Sequence, residues 1–209
     1  MTFRESRTLL VKWYYRVLER LLEPLARRGV SPNLVTVLSM AVSFVAGICY
    51  AVGAILAGGI LMLLSGFIDT LDGSIARLSG KASRFGALLD SSLDRYAEFF
   101  VFFGLLLYFR EGWMLYVVMA AMMGSIMVSY VRARAEALGQ VRIIGLMQRP
   151  ERLIILAAGS ILNRPVASYL PGCPDGALIV TLILLALLTN ITVIHRILAG
   201  RSDLTEEGS

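Results

Sequence analysis

The chain has 209 residues, 57% of them hydrophobic and 17% charged, with a formal net charge of +5. A soluble domain is apolar at about 45–50% of its positions. With a mean hydropathy of +0.73, this composition excludes an ordinary soluble domain and indicates an all-α integral membrane protein. The basic residues gather at the ends of apolar runs, which argues for membrane topology and anionic lipid and against a nucleic-acid partner.

Residues 1–30 come first. Phe3, Leu10, Trp13, Tyr14, Val17 and Leu21 recur at helical spacing with charges between them. That pattern predicts an amphipathic helix over 3–23, ended near Pro24, either lying on the cytoplasmic surface or docked as a cover on the helix bundle. The first 28 residues carry charges throughout and lack a long apolar core, so no secretory signal is expected there. Ser31 and Pro32 suit the cap and first turn of the next helix.

A bilayer core needs about 20 apolar helical residues. Six stretches qualify as predicted transmembrane helices: Leu34–Leu56, Ala57–Arg77, Ser83–Phe109, Trp113–Leu138, Arg152–Asn163 and Ala177–Leu198. The fifth is short, bracketed by Pro150 and Pro165, with Asn163 and Pro165 suiting an end. These helices form one membrane domain over residues 31–200, followed by a polar tail at 201–209 expected to be mobile. Cys49 and Cys173 show neither metal-motif spacing nor a disulfide framework. Of the 20 lysines and arginines, all but Arg110 and Arg164 fall on one side of these spans. The positive-inside rule makes that side, with both termini, cytoplasmic.

Against this apolar background stands the run Asp69-x-x-Asp72-Gly73-x-x-Ala76-Arg77, then Gly86-x-x-x-Asp90-x-x-x-Asp94. Each carboxylate within a span costs about 2.5–3.5 kcal/mol, so four together require a strongly positive partner. Spacings of three and four place Asp69 with Asp72, and Asp90 with Asp94, on common helix faces. The second and third spans form a hairpin. Asp72 with Asp90, and Asp69 with Asp94, lie symmetrically about residue 81, so all four acids are expected at one depth near the cytoplasmic boundary. Gly73, Gly86 and Ala76 would let the two backbones approach. Oxygen ligands alone favour hard cations, Mg²⁺ or Mn²⁺, with room for two ions. The competing structural reading neutralises these acids with arginines, for example Asp94 with Arg95. Glu98 continues the stripe outside the motif and reads as structural.

The pattern from Asp69 to Asp94 resembles, at every defining position, the signature of the CDP-alcohol phosphotransferases. Pro32-Asn33-x-x-Thr36 is similar to that family's segment at the start of the first span. The resemblance implies a six-helix membrane enzyme, usually a homodimer, that moves a phosphatidyl group from a CDP-linked lipid to an alcohol and releases CMP. It implies that Asp69, Asp72 and Asp90 hold two metals, with Asp94 near the second metal as general base. Asn33, Thr36, Asp69, Gly73, Ala76, Arg77 and Gly86 would bind the CDP-lipid.

A second hairpin bears on the acceptor. Arg132 and Arg134 end the fourth span and Arg149 and Arg152 begin the fifth, with Arg132 and Arg152 symmetric about residue 142. Guanidiniums converging on the same leaflet make an anion pocket, which a phosphorylated acceptor needs and free serine or inositol does not. The plain alternative is positive-inside flanking. Arg132-Ala133-Arg134-Ala135-Glu136 and Arg149-Pro150-Glu151-Arg152 resemble the stretches of the family's phosphatidylinositol-phosphate-forming branch, in which Lys is common where Arg132 stands and the Gly139–Gln148 loop is usually glycine-rich. The resemblance implies acceptor-phosphate binding by Arg132, Arg134 and Arg152. The expected reaction joins CDP-diacylglycerol and inositol 1-phosphate, with glycerol 3-phosphate as the rival acceptor. A reading from a different class is a divalent-metal transporter, since membrane carboxylates also line ion paths.

Overall fold

The structure, a computed structural model, describes residues 22–24, 28–139, 147–169 and 172–206, with side chains described as far as residue 200. Almost all of the expected surface helix over 3–23, most of the Gly139–Gln148 loop and the end of the polar tail lie outside the described residues.

Among the described residues there are six long helices and no strand: α1 (Pro32–Ala51), α2 (Ile55–Leu78), α3 (Arg84–Tyr108), α4 (Met114–Ala137), α5 (Arg149–Tyr169) and α6 (Gly176–Glu206). By length and composition α1, α2, α4 and the Gly176–Gly200 part of α6 are each able to cross a membrane. In the two others charges interrupt the apolar run: Arg84, Asp90, Asp94, Arg95 and Glu98 on α3, and Arg149, Glu151, Arg152 and Arg164 on α5. The chain is an integral membrane protein.

Local chemistry sets the helix boundaries. The Ser31 carbonyl accepts the Leu34 and Val35 N–H groups at 3.1 and 3.4 Å, and Pro32 occupies the first turn, where a missing N–H costs nothing. The predicted boundary at Leu56 moves earlier because Gly53 adopts φ +79. The Gly53 and Ala54 N–H groups then bond back to the Tyr50 and Cys49 carbonyls at 3.0 and 2.8 Å, a Schellman ending that stops α1. Pro165 does not stop α5, which runs on to Tyr169. Near a helix end the ring forfeits a single backbone bond. Asn163 serves α6 instead: its Nδ2 donates to Asp175 at 3.1 Å and its Oδ1 accepts the Leu178 N–H at 3.2 Å. The last helix continues past the predicted Leu198 to Glu206.

The chain divides into two compact units, Met1–Val42 with Leu64–Tyr96, and Ser43–Leu63 with Ala97–Ser209. In the first, Ser39 and Ser65 exchange hydroxyl-to-carbonyl hydrogen bonds at 3.0 and 2.9 Å, joining α1 to α2, while Leu22 packs with Ile75. In the second, α6 packs against α4 and α5. Leu178, Leu182, Leu185, Thr189 and Thr192 form its buried face, and Val180, Leu184, Leu187, Ile191 and Ile194 its exposed one. An apolar outer face is what lipid contact requires. A Cβ on Gly104 would collide with the Gly47 carbonyl, so α1 and α3 touch backbone to backbone there, as small residues permit.

Candidate active site

The aspartate site lies wholly in the first unit. Asp69 and Asp72 are one turn apart on α2, and Asp90 stands on α3. Their carboxylate oxygens lie within 4.8 Å of one another. The donor set is all oxygen and three carboxylates strong, which fits a hard divalent cation. Asp72 is buried, and the Thr36 hydroxyl donates to its Oδ2 at 2.6 Å. That bond crosses from α1 to α2 and holds the carboxylate in one orientation, the service an outer partner gives a metal ligand. Asp94 lies outside this group of three. Its side chain is 14% exposed and pairs with Arg95 at 3.9 Å.

A cavity of about 250 Å³ opens beside the cluster. Asp72 and Asp90 line it, and with them every further position expected to bind the CDP-lipid: Asn33, Thr36, Gly73, Ala76, Arg77 and Gly86. Asp69 contributes through the carboxylate cluster rather than the cavity wall. The glycines serve differently from the expectation. A Cβ on Gly73 would meet only the Arg77 Nη1, at 3.5 Å, and one on Gly86 the Ser83 Oγ and Asn33 Oδ1, at 3.1 and 3.4 Å. Neither glycine abuts another helix backbone; both keep the cavity wall low. Arg77 is steadied by a 3.1 Å bond from Nη2 to the Ser74 hydroxyl.

The loop between α2 and α3 closes the same cavity through Lys81, Ala82 and Ser83. Ser83 caps α3, its Oγ accepting the Gly86 N–H at 3.0 Å. Motif reasoning passed over Lys81 and Ser83 because neither belongs to the signature; their place in the turn of the hairpin was the available signal.

The arginines of the second hairpin belong to the second unit and differ sharply in setting. Arg152 is 3% exposed. Its Nε and Nη2 both reach Glu98 Oε1, at 3.0 and 2.9 Å. Nη2 also donates to the Ser129 hydroxyl, and Nη1 to the Met147 carbonyl, each at 3.2 Å. Arg149 and Arg152 line a small pocket with Glu98 and Ser43. Arg132 is exposed and pairs with Glu136 at 3.0 Å, one turn along α4; Arg134 is exposed. Arg196, read from the sequence as a flanking cation, is buried on α6 and donates to the Val128 carbonyl at 2.6 Å. It lies within electrostatic reach of Arg132 and Arg152. Nothing in local sequence distinguishes it from an ordinary boundary arginine.

A family profile described as CDP-alcohol phosphatidyltransferase matches residues 29–199. The chain is 38% identical over 185 residues to the archaetidylinositol phosphate synthase of Methanothermobacter thermautotrophicus, covering 87% of this chain and 89% of that protein. It is 39% identical over 155 residues to the phosphatidylinositol phosphate synthase of Mycobacteroides abscessus, covering 72% and 70%. Crystal structures of the Mycobacterium tuberculosis phosphatidylinositol phosphate synthase superpose with a TM-score of 0.76 at 33% identity, over 88% of this chain. One, matched over 94% of its length, has CDP-DAG bound; another, matched over 88%, is in complex with manganese and citrate.

Proposed function

Because the chain belongs to the CDP-alcohol phosphatidyltransferase family, we propose that it transfers the phosphatidyl group of CDP-diacylglycerol to a hydroxyl of inositol 1-phosphate, giving phosphatidylinositol phosphate and CMP. The observation that carries this reading is the meeting of Asp69, Asp72 and Asp90 within 4.8 Å, beside a cavity walled by Asn33, Thr36, Gly73, Ala76, Arg77 and Gly86.

Two divalent ions, Mg²⁺ or Mn²⁺, held by Asp69, Asp72 and Asp90 with Asp94 near the second, would supply Lewis-acid polarisation of the diphosphate and charge for the departing CMP. The chain's own groups do the rest. Arg77 offers charge-assisted hydrogen bonds to phosphate oxygens. Asn33 and Thr36 bound the nucleotide, and the low wall at Gly73, Ala76 and Gly86 makes space for it. An acceptor hydroxyl has too high a pKa to attack unaided. Asp94, one turn beyond Asp90 on α3, is the base that takes its proton as the new bond forms.

The acceptor's phosphate falls to Arg132, Arg134 and Arg152, with Arg196 adding its charge to theirs. A guanidinium fork matches phosphate geometry. Glycerol 3-phosphate presents the same charge, so the choice of inositol 1-phosphate rests on the relatives, which are inositol phosphate lipid synthases. The charge asymmetry noted above orients the six helices as spans with both termini and the aspartates cytoplasmic, and the working unit in this reading is a homodimer.

One assay tests the reading. Purified protein with CDP-diacylglycerol and Mg²⁺ is offered inositol 1-phosphate, glycerol 3-phosphate, inositol or serine separately, and CMP is measured. Release with inositol 1-phosphate alone is expected. Release with glycerol 3-phosphate instead would replace the acceptor, and no CMP with any acceptor would leave metal transport as the better account.

A further inference from the structure

The turn that closes the nucleotide cavity carries a cation that the signature does not include. At the end of α2, Gly80 adopts φ +66. Its N–H bonds to the Arg77 carbonyl at 3.3 Å, and the Lys81 N–H to the Ala76 carbonyl at 3.0 Å. This is a Schellman ending, and it ties Lys81 to the same turn of helix that supplies Ala76 and Arg77 to the cavity wall. Lys81 therefore lines the cavity by backbone construction rather than by loop chance.

Its ammonium is lightly engaged. An ammonium has three donors, and among the described residues that of Lys81 makes a single 3.4 Å contact with the Gly29 carbonyl. That length lies beyond the usual range for N–H···O bonds. A phosphate oxygen would outcompete this carbonyl, since a hydrogen bond between two charged groups is roughly twice as strong as a neutral one. Position decides which phosphate. The carboxylates proposed to hold metal, and hence the phosphorus under attack, stand about 1.7 helical turns or more inside the helix ends that face the loop, in each arm of the hairpin. Lys81, Ser83 and Asn33 border the loop end, where the water-soluble nucleotide must project.

We propose that Lys81 is a nucleotide-phosphate-binding residue: its ammonium leaves the Gly29 carbonyl and takes the phosphate that remains on cytidine, both in the bound CDP-lipid and in departing CMP. This inference rests on the nucleotide-lipid reading above.

The test measures binding without turnover. Affinities of detergent-solubilised protein with Mn²⁺ for CDP and CMP are determined by calorimetry, and that for cytidine by competition against CDP. The proteins are wild type, Lys81→Gln and Lys81→Arg. Loss of one charge-assisted hydrogen bond predicts a fall of about tenfold in CDP and CMP affinity for Lys81→Gln. Cytidine affinity should be unchanged, the salt dependence of CMP binding shallower, and Lys81→Arg close to wild type. CMP affinity within about twofold of wild type in Lys81→Gln would overturn the assignment. So would an equal loss for cytidine, which would mark a merely structural role. Failure of wild type to bind CDP or CMP would overturn the nucleotide-lipid reading and this inference together; the other two outcomes leave that reading standing.

Discussion

Thr36 shows what a single side chain contributes. The position lies outside the aspartate signature, yet its hydroxyl donates at 2.6 Å to Oδ2 of the buried Asp72. Thr36→Val preserves shape and removes the donor. Loss of an outer partner of a metal ligand typically costs 10–100-fold in metal affinity, and Thr36→Val should weaken Mn²⁺ binding by about that factor. Titration of Mn²⁺ by electron paramagnetic resonance reads this directly; unchanged affinity would reduce Thr36 to a packing residue. The aspartates themselves were legible because acids at helical spacing inside apolar runs are costly and so conspicuous. Thr36 was singled out only through family resemblance, and the bond it makes belongs to the packing of α1 on α2. Lys81 and Arg196 were visible as charges but not as parts of a site, since a boundary arginine and a buried one read alike in sequence.

Between elements, the informative contact is Arg152. From α5 it reaches Glu98 on α3, Ser129 on α4 and the Met147 carbonyl, at distances of 2.9 to 3.2 Å. Removing one partner of a buried pair costs about 3–5 kcal/mol, because the other charge is left uncompensated. Arg152→Ala should therefore lower thermal stability in detergent as well as raise the acceptor requirement. Arg152→Met combined with Glu98→Gln should recover most of the stability while the acceptor KM stays high. A double variant with wild-type acceptor kinetics would remove Arg152 from phosphate binding and leave it a clamp. The existence of the helices among the described residues followed from the apolar runs. Their ends did not: Gly53 ended α1 early because a left-handed residue closed a Schellman turn, whereas Pro165 let α5 pass. Both outcomes depend on which carbonyls and side chains stand nearby to receive or replace a backbone bond.

For the molecule as a whole, the testable quantity is sidedness. Two free cysteines are present, Cys49 on α1 and the exposed Cys173 before α6. The topology proposed above has the α5–α6 connection outside and the α2–α3 turn inside. In a Cys49→Ser background, a membrane-impermeant maleimide should label Cys173 in intact cells. Once Cys173→Ser is added, Ser79→Cys should label only after permeabilisation. The reverse pattern would invert the topology and place the aspartates outside.

The amino-acid sequence by itself determined that the chain is helical and lives in a membrane, and that it carries the carboxylates of the family's signature. These follow from hydropathy, length and the high cost of charge in lipid, all of which are local and additive along the chain. Only the tertiary structure decided that three of the four aspartates share one group while Asp94 stands apart with Arg95. It alone placed Arg152 in the grip of Glu98 and Lys81 in the wall of the cavity beside the aspartates. Those outcomes turn on distances of an ångström or two between residues far apart in sequence, and only the packing of whole helices sets such distances.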